Sequence, residues 1–449
     1  MVIFIKFLFL IIFLFSNNVH AEENIVKSLS SAYLKNPKLN AERERAKAID
    51  ENLVQASSAF KPTITISAYK SDTDNQGITT ASGVSSPSTN VQTTGKSLTI
   101  EQKIFNFNDM YNYEREKSSV QIARYNLQKI EQDVLLESAD AYLGTLLAQN
   151  KVDIFKDILN LSEKQVELDK SRLDRGIITI ADLAQSESAL AAVQSYLLSA
   201  ENDFLIIKKI FKNAIGYEPV DLKEVDNLIL NLPKSLEETV NYLQKDNPIL
   251  KIAEFSLKKA ESDYKSSVAE LSPTFSLSYN ITDYDGYTTS LDKTKQQVAK
   301  AQASIPLYQG GKQTSVISQK RALLDGADLD LQTAKNTVDK DAYAAWSSYK
   351  LALSNFELSK LRLKASEIAY EGISQEYESG SRSSLEVITS RAALLDSRIN
   401  FATADKERII SQFRLLASVG ILTAKNLSLE GKLYDADEYS KSSWIRHLF

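Results

Sequence analysis

Cysteine is absent from the 449 residues, and glycine and proline are scarce, with 14 and 8 copies. The missing cysteine excludes disulfides, a thiol nucleophile, thiolate metal ligands and lipidation of an N-terminal cysteine. The two histidines, His20 and His447, lie near the two ends of the chain, so no imidazole-based catalytic or metal site is expected. Few glycines and prolines predict few loops and long secondary-structure elements.

An excess of positive charge is also missing, because the net charge is −5 and both signs are interleaved. A nucleic-acid partner is therefore not expected. The carboxylates are spread along predicted helices among lysines and arginines, as on solvated faces. The sequence around Gly310, Gly311 and Lys312 lacks the glycine spacing of a phosphate-binding loop. We therefore expect no cofactor, no metal site and no enzyme activity.

Long apolar runs are missing after the first residues of the chain. The start, MVIFIKFLFLIIFLFSNNVHA, has one lysine, an apolar core and a small-residue site at Ala21, which predicts a signal peptide over residues 1–21. An N-terminal membrane anchor is the alternative, although the apolar core is short for one. No later stretch approaches the roughly 20 apolar residues of a transmembrane helix.

What the sequence does contain is one pattern that occurs twice. Pro37 and Pro248 each follow an asparagine and open a charged, alanine-rich helical pattern, which ends near Pro62 or Pro273. Apolar and polar residues then alternate, which is typical of a half-buried strand. The strands are predicted at about 62–70, 96–106, 273–283 and 296–307.

After each strand pair comes a helical pattern that is too long for a globular domain. The predicted helical hairpins cover about 109–214 and 312–418, and turns at Gly176 and Gly380 divide them. A helix of about 65 residues would be about 100 Å long, which indicates a coiled coil or a long bundle. Ser, Ala, Lys and Glu interrupt the apolar stripes, a pattern that suits a wall with one wet face.

These patterns divide the chain into a duplicated order of segments. Repeat 1 is predicted over residues 22–215, a linker over 216–236 and repeat 2 over 237–425. Residues 426–449 form a polar C-terminal tail, which we expect to be poorly ordered after about Leu427.

The predicted strands are about as long as a tilted membrane strand and are apolar on one side. Four strands cannot close a barrel, and an open sheet in lipid would leave backbone groups unpaired. Membrane strands would therefore require several copies of the chain, and three copies would supply twelve strands. A soluble sheet packed on helices is the alternative, but it explains the very long helices poorly.

The order of these segments resembles the TolC family of bacterial outer-membrane channel-tunnels, over about residues 22–425. The residues that carry the resemblance are the NP-L helix starts at Asn36 and Asn247, the phrase PLYQGG from Pro306, and the turns LDRGIITIADLAQS and YESGSRSSLEVITS. The resemblance implies a mixed α and β fold and a homotrimer. Four strands per chain would form a twelve-stranded outer-membrane β-barrel, continued by a long α-helical barrel of antiparallel coiled-coil hairpins.

The resemblance also implies a function and partners. Such a protein is a passive exit duct for efflux of small molecules or type I secretion of proteins. Its expected location is the outer membrane, in contact with lipid, with a long periplasmic portion. A periplasmic adaptor protein and an inner-membrane transporter would dock on the periplasmic end and open it. The alternative is a periplasmic structural or adaptor coiled-coil protein without a pore, although adaptors usually have a single long hairpin.

In this family the two tip turns carry the periplasmic gate. By position, the resemblance makes Tyr377 and Arg382 the links of the inner hairpin and Asp182 their acidic partner on the outer helices. An arginine–carboxylate pair near water is worth only about 0.2–1 kcal/mol, which suits a latch that must release. Without the resemblance, Arg382 would be interpreted as a solvated turn residue.

The resemblance places Glu386 at the constriction, where threefold symmetry would make a ring of carboxylates that favours cations. A solvated helix face is the alternative for this residue. Two positions depart from the family pattern. Thr389 lies where many members carry a second constriction acid, so ion selectivity is expected to be weaker. Ala181 lies where a hydroxyl partner of the arginine is common, so one hydrogen bond of the latch is expected to be missing.

Overall fold

The computed structural model describes residues 24–439 except 78, 84, 86, 226–229 and 287–291. The predicted signal peptide and the end of the tail lie outside these residues. The helices in the described part are α1 (Ile25–Lys35), α2 (Pro37–Ser58), α3 (Phe107–Asp174), α4 (Ile180–Ile215), α5 (Leu236–Asp246), α6 (Pro248–Ala269), α7 (Lys312–Glu378) and α8 (Ser384–Ser418). The strands are β1 (Thr63–Asn75), β2 (Thr89–Phe105), β3 (Thr274–Asp285) and β4 (Lys293–Ser304).

The mixed α and β fold, with very long helices and one antiparallel sheet, agrees with the sequence-based expectation. Helices α3 and α7 contain 68 and 67 residues. Among the described residues, no helix combines the length and the apolar character that a membrane-spanning helix requires.

The four strands form one sheet in the order β1-β2-β3-β4, and every neighbouring pair is antiparallel. Ile64 pairs with Ile100, which pairs with Tyr279, so apolar residues of different strands share one face. The same face leaves Ile66 80% exposed within the single chain. Strands β1 and β2 extend beyond the stretches in which apolar and polar residues alternate. Polar residues of both strands continue the backbone hydrogen bonding as far as the pair Asn75 and Thr89.

The repeated asparagine–proline pairs mark two helix breaks of the same construction. Pro37 and Pro248 occupy the first position of α2 and α6, where the missing N–H costs nothing. The side-chain amide (Nδ2) of the preceding Asn36 donates a hydrogen bond to the carbonyl oxygen of Ala214, at 3.2 Å. Asn247 donates likewise to Ser418, at 2.8 Å. Each asparagine therefore fixes the far end of a helical hairpin, α4 or α8, to a helix break.

The chain forms two compact units. One contains the residues up to Glu42, Gln128–Asn247 and Thr337–Tyr434, and holds both turns between the long helices. Its interior includes the fully buried Tyr142 and Phe211, whose ring centroids are 6.3 Å apart. The other contains Arg43–Leu127, Pro248–Asn336 and the residues from Asp435, and holds the sheet.

The first part of the predicted disordered tail is packed in this structure. Leu429 is buried, the backbone N–H of Glu430 donates to the Ser30 hydroxyl, and that of Tyr434 donates to the Tyr33 hydroxyl, both at 2.9 Å. The expectation of a poorly ordered segment directly after Leu427 needs correction here. The polar composition of the tail gave no indication that hydroxyl groups of α1 would accept hydrogen bonds from its backbone N–H groups.

Candidate functional site

The turn between α3 and α4 closes with a pair of backbone hydrogen bonds. Gly176 has a φ of +70° and donates to the carbonyl of Leu173, at 2.8 Å. Ile177 donates to the carbonyl of Arg172, at 2.9 Å. This is the Schellman arrangement, in which a left-handed residue satisfies the last carbonyls of a helix. Glycine is required there because other residues resist a positive φ.

The turn between α7 and α8 repeats this geometry. Gly380, with a φ of +87°, donates to Tyr377 at 2.9 Å, and Ser381 donates to Glu376 at 2.8 Å. The next helix begins in both turns with a reciprocal capping box.

The capping boxes give Asp182 and Glu386 corresponding places in the two turns. Asp182 accepts from the backbone N–H and hydroxyl of Thr179, at 2.9 and 2.8 Å. The backbone hydrogen bond of Thr179 is the larger of the causes that lower the pKa of Asp182. Glu386 accepts from the same two groups of Ser383, both at 2.9 Å.

Arg382 lies on the exposed rim of the second turn between two carboxylates. Its Nε donates to Glu376 at 2.6 Å, and its Nη1 donates to Glu386 at 2.7 Å. The backbone N–H of Ser383, followed by the Arg382 guanidinium, lowers the pKa of Glu386 to about 2. The hydrogen bonds to the two glutamates raise the pKa of Arg382, so this side chain stays charged.

The lowered pKa of Glu386 predicts a pH dependence for this turn. The folded-state value of about 2 lies below the ordinary 4.5, so the ionised group stabilises the turn above about pH 4.5, and that contribution is lost as the pH falls toward 2. We expect amide protection over residues 376–386 to fall in this window. In Glu386→Gln we expect lower protection at neutral pH and a smaller further loss in acid. The measurement is hydrogen exchange of the full chain, corrected for intrinsic rates.

The turn around Gly176 is the internal control for this experiment. The capping box of Thr179 and Asp182 is unchanged in wild type and in Glu386→Gln. The amide protection of this turn should therefore follow the same pH profile in both proteins. Identical pH profiles for residues 376–386 in the two proteins would contradict the prediction.

Beneath the rim, one buried carboxylate joins all four helices of the tip. Asp169 on α3 is 0% exposed. Its two oxygens accept hydrogen bonds from Gln165 at 2.9 Å, from Ser384 at 3.1 Å, and from Tyr377 and Ser186. The hydroxyls of Ser186 and Ser384 also lie 3.0 Å apart. We call the residues Gln165, Asp169, Arg172, Ser186, Tyr377 and Ser384 the Asp169 cluster.

Arg172 and Tyr377 contact each other at the end of α7. The guanidinium of Arg172 lies 4.1 Å from the centre of the Tyr377 ring and donates to the carbonyls of Tyr377 and Glu378, at 2.8 and 3.0 Å. A cation at the last carbonyls of a helix is favourable. Burial, and then the hydrogen bond to Asp169, raises the pKa of Tyr377. The phenol is therefore held as a neutral donor.

A second arginine is buried close to the cluster. Arg391 on α8 is 3% exposed and donates to the carbonyl of Leu161 at 3.4 Å. Burial lowers the pKa of Arg391, and the charge of Asp169 acts in the opposite direction. The negative charge of Asp169 thus also stabilises this buried cation.

The structure brings together some of the predicted residues and separates others. Arg382 and Glu386 are paired on the rim, and Tyr377 lies below them in the Asp169 cluster. Asp182 is in the other turn, where Thr179 is its partner. The expected contact of Asp182 with Tyr377 and Arg382 is not formed within one chain. The acid that Tyr377 meets is Asp169, because a buried phenol requires a buried acceptor.

Sequence reasoning did not identify Asp169. The available signal was its spacing, since Gln165, Asp169 and Arg172 recur at helical intervals on the stripe that α3 buries. Polar residues on such a stripe must find buried partners. The two departures, Ala181 and Thr389, are both exposed, and the Thr389 hydroxyl donates to the Leu385 carbonyl of its own helix.

Comparison with known sequences decides the family. A sequence profile described as outer membrane efflux protein matches residues 28–216 and 240–421. The chain belongs to the outer membrane efflux protein family. This confirms the resemblance to TolC-like proteins, and the relatives that it matches are efflux and channel proteins rather than enzymes.

Individual members of the efflux family align over most of the chain. Outer membrane efflux protein BepC of Brucella suis biovar 1 (strain 1330) is 24% identical over 423 residues, which cover 94% of this chain and 90% of that protein. Outer membrane protein TolC of Escherichia coli (strain K12) is 21% identical over 422 residues, 90% of this chain and 84% of that protein. The fold is shared with the CmeC outer membrane channel of Campylobacter jejuni, with a TM-score of 0.80, 15% identity and coverage of 94% and 89%.

Proposed function

We propose that three copies of this chain form a passive exit duct through the outer membrane. The observation that carries the proposal is the combination of a four-stranded sheet with one exposed apolar face and two long hairpins whose tips are fastened at the Asp169 cluster. Efflux of small molecules is the favoured use, because both the matched family and the BepC relative are described as outer membrane efflux proteins. Type I secretion of proteins would use the same duct.

The sheet supports the threefold assembly through its open edges. Strands β1 and β4 each pair on one side only within the described part of the chain. In lipid, their free backbone groups would cost several kcal/mol each, so the edges need the strands of other copies. Three copies supply twelve strands, and the duplicated hairpins of three copies supply the helical wall that continues them into the periplasm.

The tips support a gate with two layers. The buried layer is the Asp169 cluster, and the exposed layer is the pairing of Arg382 with Glu376 and Glu386. We assign Arg382 and Asp182 to the contact between neighbouring copies, since Arg382 is exposed in one turn and Asp182 is partly exposed in the corresponding turn. Glu386 would line the constriction as a ring of three carboxylates and favour cations.

Partner proteins are expected to act on these turns. A periplasmic adaptor and an inner-membrane transporter that dock on the tips would supply the free energy that separates the helices. The exposed pairs resist little, because a solvent-exposed ion pair contributes about 0–1 kcal/mol. The Asp169 cluster supplies most of the resistance in this proposal.

Single-channel conductance tests both the pore and the latch. The mature protein is refolded, shown to be a trimer by its mass in detergent, and inserted into a planar bilayer. We expect a small, cation-preferring current that rises in Arg382→Ser. A pair worth up to about 1 kcal/mol shifts the opening equilibrium by at most about five-fold, so the rise should be modest.

A matched control removes another exposed arginine far from the turns. Arg321 pairs with Asp325 at 3.2 Å, and its side chain is 59% exposed, against 44% for Arg382. Arg321→Ser should leave the current unchanged. A pore whose conductance is equal in wild type and Arg382→Ser would retain the channel and refute the role of Arg382. A trimer that carries no current at all would favour the structural coiled-coil alternative.

A further inference from the structure

The large apolar side chains on the exposed face of the sheet end at the same level on β1, β2 and β3. The last mainly apolar row, counted toward the hairpin loops, contains Ile66, Leu98, Ile281 and Gln297. The next row contains Ala68, Lys96, Asp283 and Lys295. The row after it contains Lys70, Thr94, Asp285 and Lys293. The apolar band therefore ends at two rows that are rich in lysine.

The lysines of the sheet are concentrated in these two rows. The strands contain two further lysines, Lys103 and Lys300. Lys103 lies at the helix end of β2 and pairs with Asp109, at 3.1 Å. Lys300 is in register with Ser278 on the opposite, polar face. We call Lys70, Lys96, Lys293 and Lys295 the lysine rows.

Cross-strand ion pairing does not account for the lysine rows. Asp283 lies in register between Lys96 and Lys295, yet in the described part of the chain none of the four lysines forms an ion pair. All four are exposed. Four ammonium groups and two carboxylates leave the two rows with net positive charge. Asp72 and Asp74 lie beyond the rows, and the Asp72 carboxylate already accepts from Gln92, at 3.2 Å.

The opposite edge of the apolar band has a different chemistry. Phe105 lies 4.4 Å from Phe107 and 6.5 Å from Phe275, measured between ring centroids. From Phe275 to Asp283 the strand rises about 27 Å at roughly 3.4 Å per residue. A tilt of about 35–45° reduces this to roughly 20 Å, close to the apolar height of membrane strands. Aromatic rings thus mark one boundary of the band and ammonium groups mark the other.

We propose that the lysine rows bind the phosphate groups of lipids in the leaflet that the hairpin loops reach. This rests on the proposed insertion of the sheet into the membrane. At the depth where the apolar band ends, headgroup phosphates are the anions that the ammonium groups would meet, and lysine binds phosphate as a point charge. Basic residues at this depth attract anionic lipid, and the attraction weakens as salt increases.

The test measures which lipid the trimer retains. Purified full-length mature protein in detergent is incubated with equal amounts of phosphatidic acid and phosphatidylcholine, and bound lipids are counted by native mass spectrometry. We expect the wild type to prefer phosphatidic acid by about ten-fold. Replacing the four lysines of the rows by glutamine should abolish most of this preference. Replacing them by arginine should preserve it, which separates charge from folding.

The matched control removes four exposed lysines from the long helices: Lys156, Lys164, Lys335 and Lys364. Their replacement by glutamine changes net charge equally and should leave the preference intact. An equal loss in this control, or no preference in the wild type, would overturn the proposal. A protein that inserts into phosphatidylcholine vesicles without preferring phosphatidic acid refutes only the lipid site, whereas failure to insert at all refutes the membrane function as well.

Discussion

Asp169→Ala is expected to open the tip and raise the single-channel conductance far more than any exposed substitution. The change leaves the donors of Gln165, Ser186, Tyr377 and Ser384 without their shared acceptor. It also removes the negative charge beside the buried Arg391. Each buried donor that is left without an acceptor costs about 1–3 kcal/mol, so the loss of four would shift the opening equilibrium by more than a hundred-fold. Asp169→Asn keeps the volume and should have a smaller effect.

Two readings check this expectation, and a surface acid serves as control. Conductance reports the open fraction, and hydrogen exchange over residues 165–186 and 377–384 reports the packing of the cluster. Glu187→Ala removes the exposed partner of Lys170, an ion pair of 3.4 Å near the same turn, and should change neither reading appreciably. Unchanged conductance and exchange in Asp169→Ala would show that the cluster does not hold the tip closed.

Gly420→Ala is expected to destabilise the unit that contains the turns by about 3 kcal/mol or more. Gly420 has a φ of +89°, and an added Cβ would lie 2.4 Å from the carbonyl oxygen of Asp246 and 2.6 Å from the Cα of Asn247. Its own carbonyl accepts from Gln128 and Gln132, at 3.1 and 2.6 Å. Backbone meets backbone at this site, so a side-chain rotation cannot relieve the overlap.

Gly326→Ala is the matched control for this substitution. Gly326 lies within α7, and an added Cβ would meet nothing within 4 Å. Alanine is favoured over glycine in a helix by roughly 0.5–1 kcal/mol, so this variant should be slightly more stable. The stabilities of Gly420→Ala, Gly326→Ala and wild type are compared by guanidinium unfolding, monitored through the helical circular dichroism signal. Equal midpoints for Gly420→Ala and wild type would contradict the predicted backbone overlap.

The sequence revealed those features that periodicity encodes. Alternation located the apolar rows of the sheet, and the long helical pattern with a glycine break located the turns at Gly176 and Gly380. The polar ends of β1 and β2 were not predicted, because the backbone pairing beyond Lys70 does not produce an alternating pattern of apolar and polar side chains. The hydrogen bonds of Glu430 and Tyr434 with α1 were not predicted for a related reason, since their acceptors are the hydroxyl groups of Ser30 and Tyr33, about 400 residues away in sequence.

The candidate site was predictable only in part. Tyr377, Arg382 and Glu386 were selected by their position relative to a glycine, which fixes their place in the turn but not their partners. The geometry of the turn brings Glu376 to Arg382 and brings the backbone N–H of Ser383 to Glu386. Asp169 is far from Tyr377 in sequence, and one chain without an alignment gives no means of pairing them.

The asparagine anchors at the helix breaks make each hairpin a lever. Helix α4 has 36 residues and is about 54 Å long at 1.5 Å per residue. Asn36 holds one end at Ala214, and the turn at Gly176 lies beyond the other. A rotation of about 5° at the anchored end moves the other end by about 5 Å over that length. In the proposed channel, docked partners would therefore need to cause only a small rotation near the anchors for the tip to move by the width of a side chain.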